Sequence, residues 1–356
     1  MRFKLTILWY LLQFRVSRLL LRNRIPLLQA VRMRSWRKVL ARSPFYRPYA
    51  QAPLDTIPPS NKRLFMQEFD RINTCGISLD EALHLALQAE QTRDFTPTIN
   101  GITVGLSTGT SGNRGVFLAS EGERARWVAA VLDRVLPLRW KPQRVAFFLR
   151  ANSNLYGSVQ SSLLRFHFFD LLHSVDENLE RLQAVQPEIL VAQPSMLLRI
   201  ARALECGQIR IQPVKVISVA EVLTPEDQAY LGRVFGQLIH QVYQCTEGFL
   251  ASTCREGTLH FHEDFLLIEK KYVDVERRRF HPVITDLLRR TQPVVRYELN
   301  DIIVARESCP CGSPHLAIER IEGRSDDVLR FRSKSEEPVA IFPDFFRKAI
   351  VLADAA

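Results

Sequence analysis

The stretch Leu106-Ser107-Thr108-Gly109-Thr110-Ser111-Gly112-Asn113-Arg114-Gly115 holds three glycines and four hydroxyls in ten residues. Ahead of it Ile102-Thr103-Val104-Gly105 reads as a short strand, and behind it Val116-Phe117-Leu118 resumes an apolar run, so a turn joins two strands. Small residues let successive backbone N–H groups face one concavity that suits an anion, most often a phosphate. The hydroxyls add donors, and Arg114 adds a charged fork that matches phosphate oxygens. The plainer alternative is a polar hairpin turn without a ligand. No Gly-Lys-Ser/Thr follows at the required spacing, so the loop is not of the Walker type.

Around this loop lie 356 residues, 46% of them hydrophobic, enough for one large or two ordinary domains. The net charge of +10 is concentrated at the start: residues 1–50 carry twelve Lys and Arg and no acid, the first acid being Asp55. A basic arm on a nearly neutral body is not the pattern of a uniformly basic nucleic-acid binder, and no nucleic-acid partner is expected. The apolar stretch Leu5 to Phe14 is too short to span a bilayer, and Arg15, Arg18 and Arg22 follow at once. Two readings of it stay open: a helix packed on the body, or a peripheral helix on an anionic membrane surface. Six cysteines and no secretory cleavage site favour a reducing, cytoplasmic setting over a disulfide framework.

Periodicity predicts helices over Leu79–Glu90, Glu121–Leu138 and Pro194–Leu204. It predicts strands at Val145–Leu149, Ile189–Ala192 and Val214–Val219, with a polar turn at Arg150–Asn154 and an apolar run from Leu163 to Leu172. Short apolar strands alternating with helices mean an α/β fold with layered, largely buried sheets.

Further stations follow in order. Ser218-Val219-Ala220-Glu221 closes a strand. Tyr243-Gln244-Cys245-Thr246-Glu247-Gly248 combines an aromatic face, a hydroxyl and a carboxylate. Val294-Val295-Arg296-Tyr297-Glu298-Leu299-Asn300-Asp301 and Ile321-Glu322-Gly323-Arg324-Ser325-Asp326-Asp327 lie beyond it. A tyrosine offers a flat face for a purine, and a glutamate offers the hard oxygen that magnesium takes. Alone, the Thr-Glu pair reads equally as a helix-capping box.

Together with Ser107–Gly112, these stations resemble those of the adenylate-forming enzymes: acyl-CoA ligases, luciferases and peptide-synthetase adenylation domains. The phrases are most similar to the subgroup of phenylacetate–CoA ligase, CoF synthetase (the deazaflavin-cofactor adenylyltransferase) and their uncharacterised relatives. The resemblance runs from about Ser43 to the end. It implies ATP and Mg2+ as cofactors, with Ser107, Thr108, Gly109, Thr110, Ser111, Gly112, Ala220, Glu221, Tyr243, Asp301 and Arg324 at the nucleotide. It makes Thr246, Glu247 and Arg114 catalytic, places Mg2+ on Glu247, and makes Asp326 the hinge. The implied division is a basic helical arm at 1–50, a large domain at 51–323, and a hinge with the start of a C-terminal domain at 324–356. The expected reaction turns a carboxylic acid, aryl or apolar, into an acyl-AMP that passes to CoA or a carrier-protein thiol. The alternatives are transfer of AMP to a cofactor hydroxyl, or a truncated nucleotide-binding protein without turnover.

Two departures accompany the match. Asn113-Arg114 stand where the subgroup usually has Lys-Pro, and 29 residues follow Asp327, so the C-terminal domain with its lysine is expected to be mostly missing. Asn152, Asn154, Tyr156 and Phe166-His167-Phe168-Phe169 are candidates for the acid pocket, although such aromatics are more often core. Separately, Cys254-x5-His260 and Cys309-Pro-Cys311 form two half-sites able to close a tetrahedral zinc site, with His262 as a competing ligand. The same subgroup carries a similar arrangement, and four protein ligands imply a structural ion.

Overall fold

A computed structural model describes residues 2–21, 23–107, 114–136, 141–149 and 164–325, together with the backbone of Leu329–Arg332 and Pro338–Ile341. The chain opens with two helices, α1 (Arg2–Leu21) and α2 (Ile25–Leu40), the second started by a proline in its first turn. Short helices α3 (Lys62–Gln67) and α4 (Phe69–Ile72) and the longer α5 (Leu79–Thr92) lead to a two-stranded antiparallel ribbon, β1 (Thr103–Leu106) and β2 (Val116–Ala119). The quoted loop joins these two strands. Helix α6 (Glu121–Arg134) follows, and a capping box starts it: the Ser120 hydroxyl accepts from the Glu123 N–H while the Glu123 carboxylate takes the Ser120 N–H.

The remainder is built on one twelve-stranded sheet of two characters. Strands β3 (Gln143–Leu149), β4 (Leu164–Asp170), β5 (Ile189–Ala192), β6 (Lys215–Ser218) and β7 (Ile239–Cys245) pair in parallel. The crossovers carry α7 (Val175–Val185), α8 (Pro194–Glu205) and α9 (Pro225–Phe235). All four residues of β5 are buried, as expected for a parallel strand covered on both faces. From β7 onward the sheet is antiparallel, through β8 (Gly248–Thr253), β9 (Leu259–Phe261), β10 (Leu266–Tyr272), β11 (Arg279–Asp286), β12 (Tyr297–Glu298), β13 (Asp301–Arg306) and β14 (Ala317–Arg324). A separate ribbon pairs β15 (Leu329–Arg332) with β16 (Pro338–Ile341).

The predicted α/β class therefore holds. The expected alternation with helices describes only the parallel half, because β7 to β14 run strand after strand with no helical signal between them.

Helix α1 packs along α6. Ile7, Leu11 and Phe14 enter the main core, and the Arg126 guanidinium lies 4.5 Å from the centre of the Tyr10 ring. The seam closes on Asp133, whose side chain is fully buried. It takes Arg18 Nη2 at 2.8 Å and lies 3.2 Å from Arg134 Nε and 3.6 Å from Arg15 Nε. Removing one member of such a cluster leaves buried charge uncompensated. Asp133→Ala is accordingly expected to lower stability by about 3 kcal/mol, read as a shift of the urea midpoint. A shift near zero would mean that the arginines reach water when the carboxylate is gone.

Candidate nucleotide site and metal cluster

The ends of the quoted loop are tied together. Ser107 N donates to Gly115 O at 2.8 Å, and Gly115 N donates to Ser107 Oγ at 2.7 Å. Thr108, Gly109, Thr110, Ser111 and Gly112 lie outside the described residues, as does Asp326. The start of α3 approaches the neck of the loop: a Cβ at Gly115 would stand 3.4 Å from Lys62 Cε, in ordinary van der Waals contact. Lys62 was not legible as a neighbour of the loop, since it precedes it by some fifty residues. Arg114 donates from Nε to Ser107 O at 3.1 Å and from Nη1 to Glu90 Oε2 at 2.6 Å, with Nη2 on the other oxygen. Hydrogen bonds from Arg114 hold the Glu90 carboxyl below its ordinary value. In this arrangement the fork expected to face phosphate faces a carboxylate on α5, a partner that sequence alone did not indicate.

Three other residues converge through the sheet. Tyr243 at the end of β7 is 8% exposed, its ring edge-on to Phe261 at 6.2 Å, and its hydroxyl donates to Asp301 Oδ2 at 2.6 Å. Asp301 opens β13, and its Oδ1 lies 3.8 Å from Arg324 Nε at the end of β14. Burial pushes the Asp301 carboxyl up, and burial with the neighbouring Asp301 charge pushes the Tyr243 phenol well up. Thr246 Oγ1 donates to Glu247 Oε2 at 2.9 Å in the turn between β7 and β8. Tyr297 stands beside that glutamate, and burial first, then the Glu247 charge, pushes its phenol up. Lys62, Gly115, Thr246, Glu247, Arg289 and Tyr297 border one narrow cleft, which sets the neck of the loop and the Thr-Glu pair against a common space. Tyr297 belongs to the Arg296–Asp301 station, and its place beside Glu247 is one that local sequence does not reveal.

The strand-end station behaves differently. Glu221 accepts from Ser195 N at 3.2 Å and Ser195 Oγ at 3.0 Å, so its side chain serves the start of α8. Ala220 holds φ +67°, a left-handed conformation costing about 1 kcal/mol for a residue with a Cβ. It borders a cavity of about 170 Å³ whose lining is apolar apart from Gln244, and which includes Trp127, Val131, Phe147, Phe166 and Val219. A larger cavity of about 410 Å³ adjoins it through Trp127, Leu149 and Gln244, and is bordered by Glu90, Arg124 and Thr246. Asp286, buried at the edge of that larger cavity, is pushed up to about 6 by burial. Of the aromatic run expected at an acid pocket, Phe166 lines the small cavity, whereas Phe169 is core, stacked on Phe148 at 4.5 Å. Asn152, Asn154 and Tyr156 lie outside the described residues.

On the antiparallel half, Cys254, His260, Cys309 and Cys311 bring their ligand atoms within 4.8 Å of one another. Cys254 Sγ is 3.7 Å from Cys309 Sγ, and Cys311 Sγ is 3.4 Å from His260 Nε2. Bonds of about 2.3 Å to sulfur and about 2.0 Å to nitrogen at tetrahedral angles imply S···S near ~3.8 Å and S···N near ~3.5 Å. The Cys254–Cys309 and Cys311–His260 separations fit a four-coordinate ion. His260 Nδ1 lies 3.0 Å from His315 O, a contact that assigns the proton to Nδ1 and leaves the Nε2 lone pair toward the thiols. His262 is not part of the cluster; its ring packs between Phe249 and Phe265, at 4.3 and 5.5 Å.

No family model matches the chain, and no curated protein matches it. Among solved structures, 2-hydroxyisobutyryl-CoA ligase in the postadenylation state, in complex with 2-HIB-AMP, is similar at a TM-score of 0.64 and 14% identity, over 88% of this chain and 70% of that one. An open conformation of the ligase with 2-HIB-AMP and CoA gives 0.64 and 14%, over 91% and 74%. Its thioesterification state gives 0.56 and 14%, over 86% and 71%. At such identity the likeness is one of fold: over most of its length the chain shares the fold of these adenylate-forming ligases.

Proposed function

We propose that this protein is an ATP- and Mg2+-dependent ligase that activates a carboxylic acid as acyl-AMP and passes the acyl group to CoA or another thiol, within the phenylacetate–CoA ligase-like subgroup. The observation that carries the reading is convergence. On a fold shared with a ligase solved with 2-HIB-AMP, the neck of the glycine-rich loop and the Thr246-Glu247 pair border one cleft, and Tyr243, Asp301 and Arg324 meet across β7, β13 and β14.

In this reading the acid's carboxylate attacks the α-phosphorus and pyrophosphate leaves. Backbone N–H groups of the loop Thr108–Gly112 meet the charge that builds on the phosphate oxygens. Glu247 supplies the oxygen ligand for Mg2+, and Thr246 orients that carboxylate. Asp301, held by Tyr243 and Arg324, takes the ribose hydroxyls. In this reading Arg114 turns from Glu90 to phosphate when ATP binds, which makes Glu90 a resting partner for it. Residues 51–323 form the large domain on this reading, and the Cys3His cluster holds a structural zinc ion.

The apolar lining of the smaller cavity supports an aryl or apolar acid as substrate. ATP–pyrophosphate exchange over a panel of aryl, branched and fatty acids tests the reading, with exchange expected only for apolar members. ATP binding without exchange on any acid would overturn it. Filling the cavity gives a narrower test. Val219→Phe is expected to lower kcat/KM for the best acid by about 10- to 100-fold, with ATP affinity unchanged. An unaltered acid preference would move the acyl pocket elsewhere.

A further inference from the structure

The basic arm is not absorbed by the nucleotide site. Along α1 one face is used, with Ile7, Leu11 and Phe14 in the core. A second stripe is left in solvent: Leu5, Leu8, Trp9, Leu12, Val16 and Leu19 recur at intervals of one to four residues, Trp9 being 59% and Leu19 82% exposed. That spacing places them on one side of a helix about 30 Å long. On α2, Leu27 and Val31 are also exposed, and Arg34 and Lys38 continue the same line of i, i+4, i+7 and i+11 positions toward the C-terminus. No helix among the described residues is long and apolar enough to cross a membrane.

We infer that the outer face of α1 and α2 is a docking surface for an anionic lipid bilayer. A large apolar stripe in water calls for a cover, and charge selects which. Residues 1–50 hold twelve Lys and Arg and no Asp or Glu; Arg15, Arg18 and Arg32 are paired with Asp133 and Asp264 of the body, while Arg2, Lys4, Arg24, Arg34 and Lys38 are exposed. A second copy packed on this face by two-fold symmetry sets cations against cations, with no acid of the segment to answer them. A bilayer bearing anionic headgroups supplies both the apolar depth and the opposite sign, the two signals that stable interfacial binding needs. Trp9 in mid-stripe suits the headgroup boundary, where an indole buries its rings and keeps its N–H wet. The arrangement also sets the apolar cavity one helix away from the surface: α1 lies on α6, and α6 contributes Trp127 and Val131 to the cavity lining.

The test is co-sedimentation of the full chain with vesicles of phosphatidylcholine alone and of phosphatidylcholine with phosphatidylglycerol. Binding to the anionic vesicles is expected, weakening as salt rises, with little binding to the neutral ones. The double variant Leu8→Glu, Leu12→Glu is expected to lose at least about tenfold in partitioning with an unchanged melting temperature, since both side chains are more than half exposed. Leu19→Glu, at the most exposed position of the stripe, repeats the test where packing is not at stake. Failure of the wild type to bind anionic vesicles, or binding that neither variant reduces, overturns the inference. A dimer that Leu12→Glu dissolves, without vesicle binding, overturns it in favour of a second copy.

Discussion

Replacing Glu247 by glutamine is expected to lower magnesium-dependent ATP–pyrophosphate exchange by about 1000-fold, the upper range for removing one preorganised electrostatic group, while the melting temperature stays within a degree or two of the wild type. Glutamine keeps the size of the side chain and a carbonyl oxygen for the Thr246 hydroxyl, which donates to Oε2 at 2.9 Å. What it removes is the anionic oxygen that magnesium takes. Tyr297 should report the change as well, because part of what raises its phenol is the Glu247 charge. Burial, the larger cause, is untouched in the variant, so a downward shift that stays above the ordinary tyrosine value is expected, read as an earlier onset of phenolate absorbance on base titration. Exchange that survives the substitution removes Glu247 from the metal, whatever the fold resembles.

The second large effect belongs to the cysteine–histidine cluster. The purified protein is expected to hold about one zinc ion per chain when prepared without chelators, and Cys309→Ser is expected to release it and to destabilise the fold by at least about 3 kcal/mol, well inside the range a structural zinc ion can supply. The cost follows from what the ligands join. Cys254 follows β8, His260 lies on β9, and Cys309 and Cys311 sit in the loop between β13 and β14, so one ion crosslinks three segments of the antiparallel half. His260 and Ala317 are paired across β9 and β14, which leaves the cluster at the seam of those strands. Elemental analysis that finds no metal, or a Cys309→Ser protein that melts like the wild type, would return the four residues to the role of ordinary half-buried side chains.

The two results separate cleanly, because the cluster and the Thr-Glu pair share no residue. Loss of zinc should lower the melting temperature and reduce exchange only as far as the fold loosens. Loss of Glu247 should reduce exchange with the melting temperature held.

Locally encoded features were legible from the sequence by itself. The start of α6 at Glu121, the run Ile189–Ala192, and the strands either side of the glycine-rich loop are set by neighbours within a few residues, where periodicity and turn chemistry act. The antiparallel half was less legible, since hairpins such as β7–β8 form by pairing and not by a helical signal. What joins distant residues was decided by tertiary structure alone. Arg114 meets Glu90 across 24 residues and Tyr243 meets Asp301 across 58, distances over which no propensity acts. In the sequence His260 was the expected ligand and His262 its competitor. The loop of Cys309 and Cys311 folds over one of them, and Phe249 with Phe265 encloses the other. The same holds for α1, whose sequence is apolar around most of its circumference. Because α1 packs on α6 along one side, that face is buried and the opposite stripe stays in solvent.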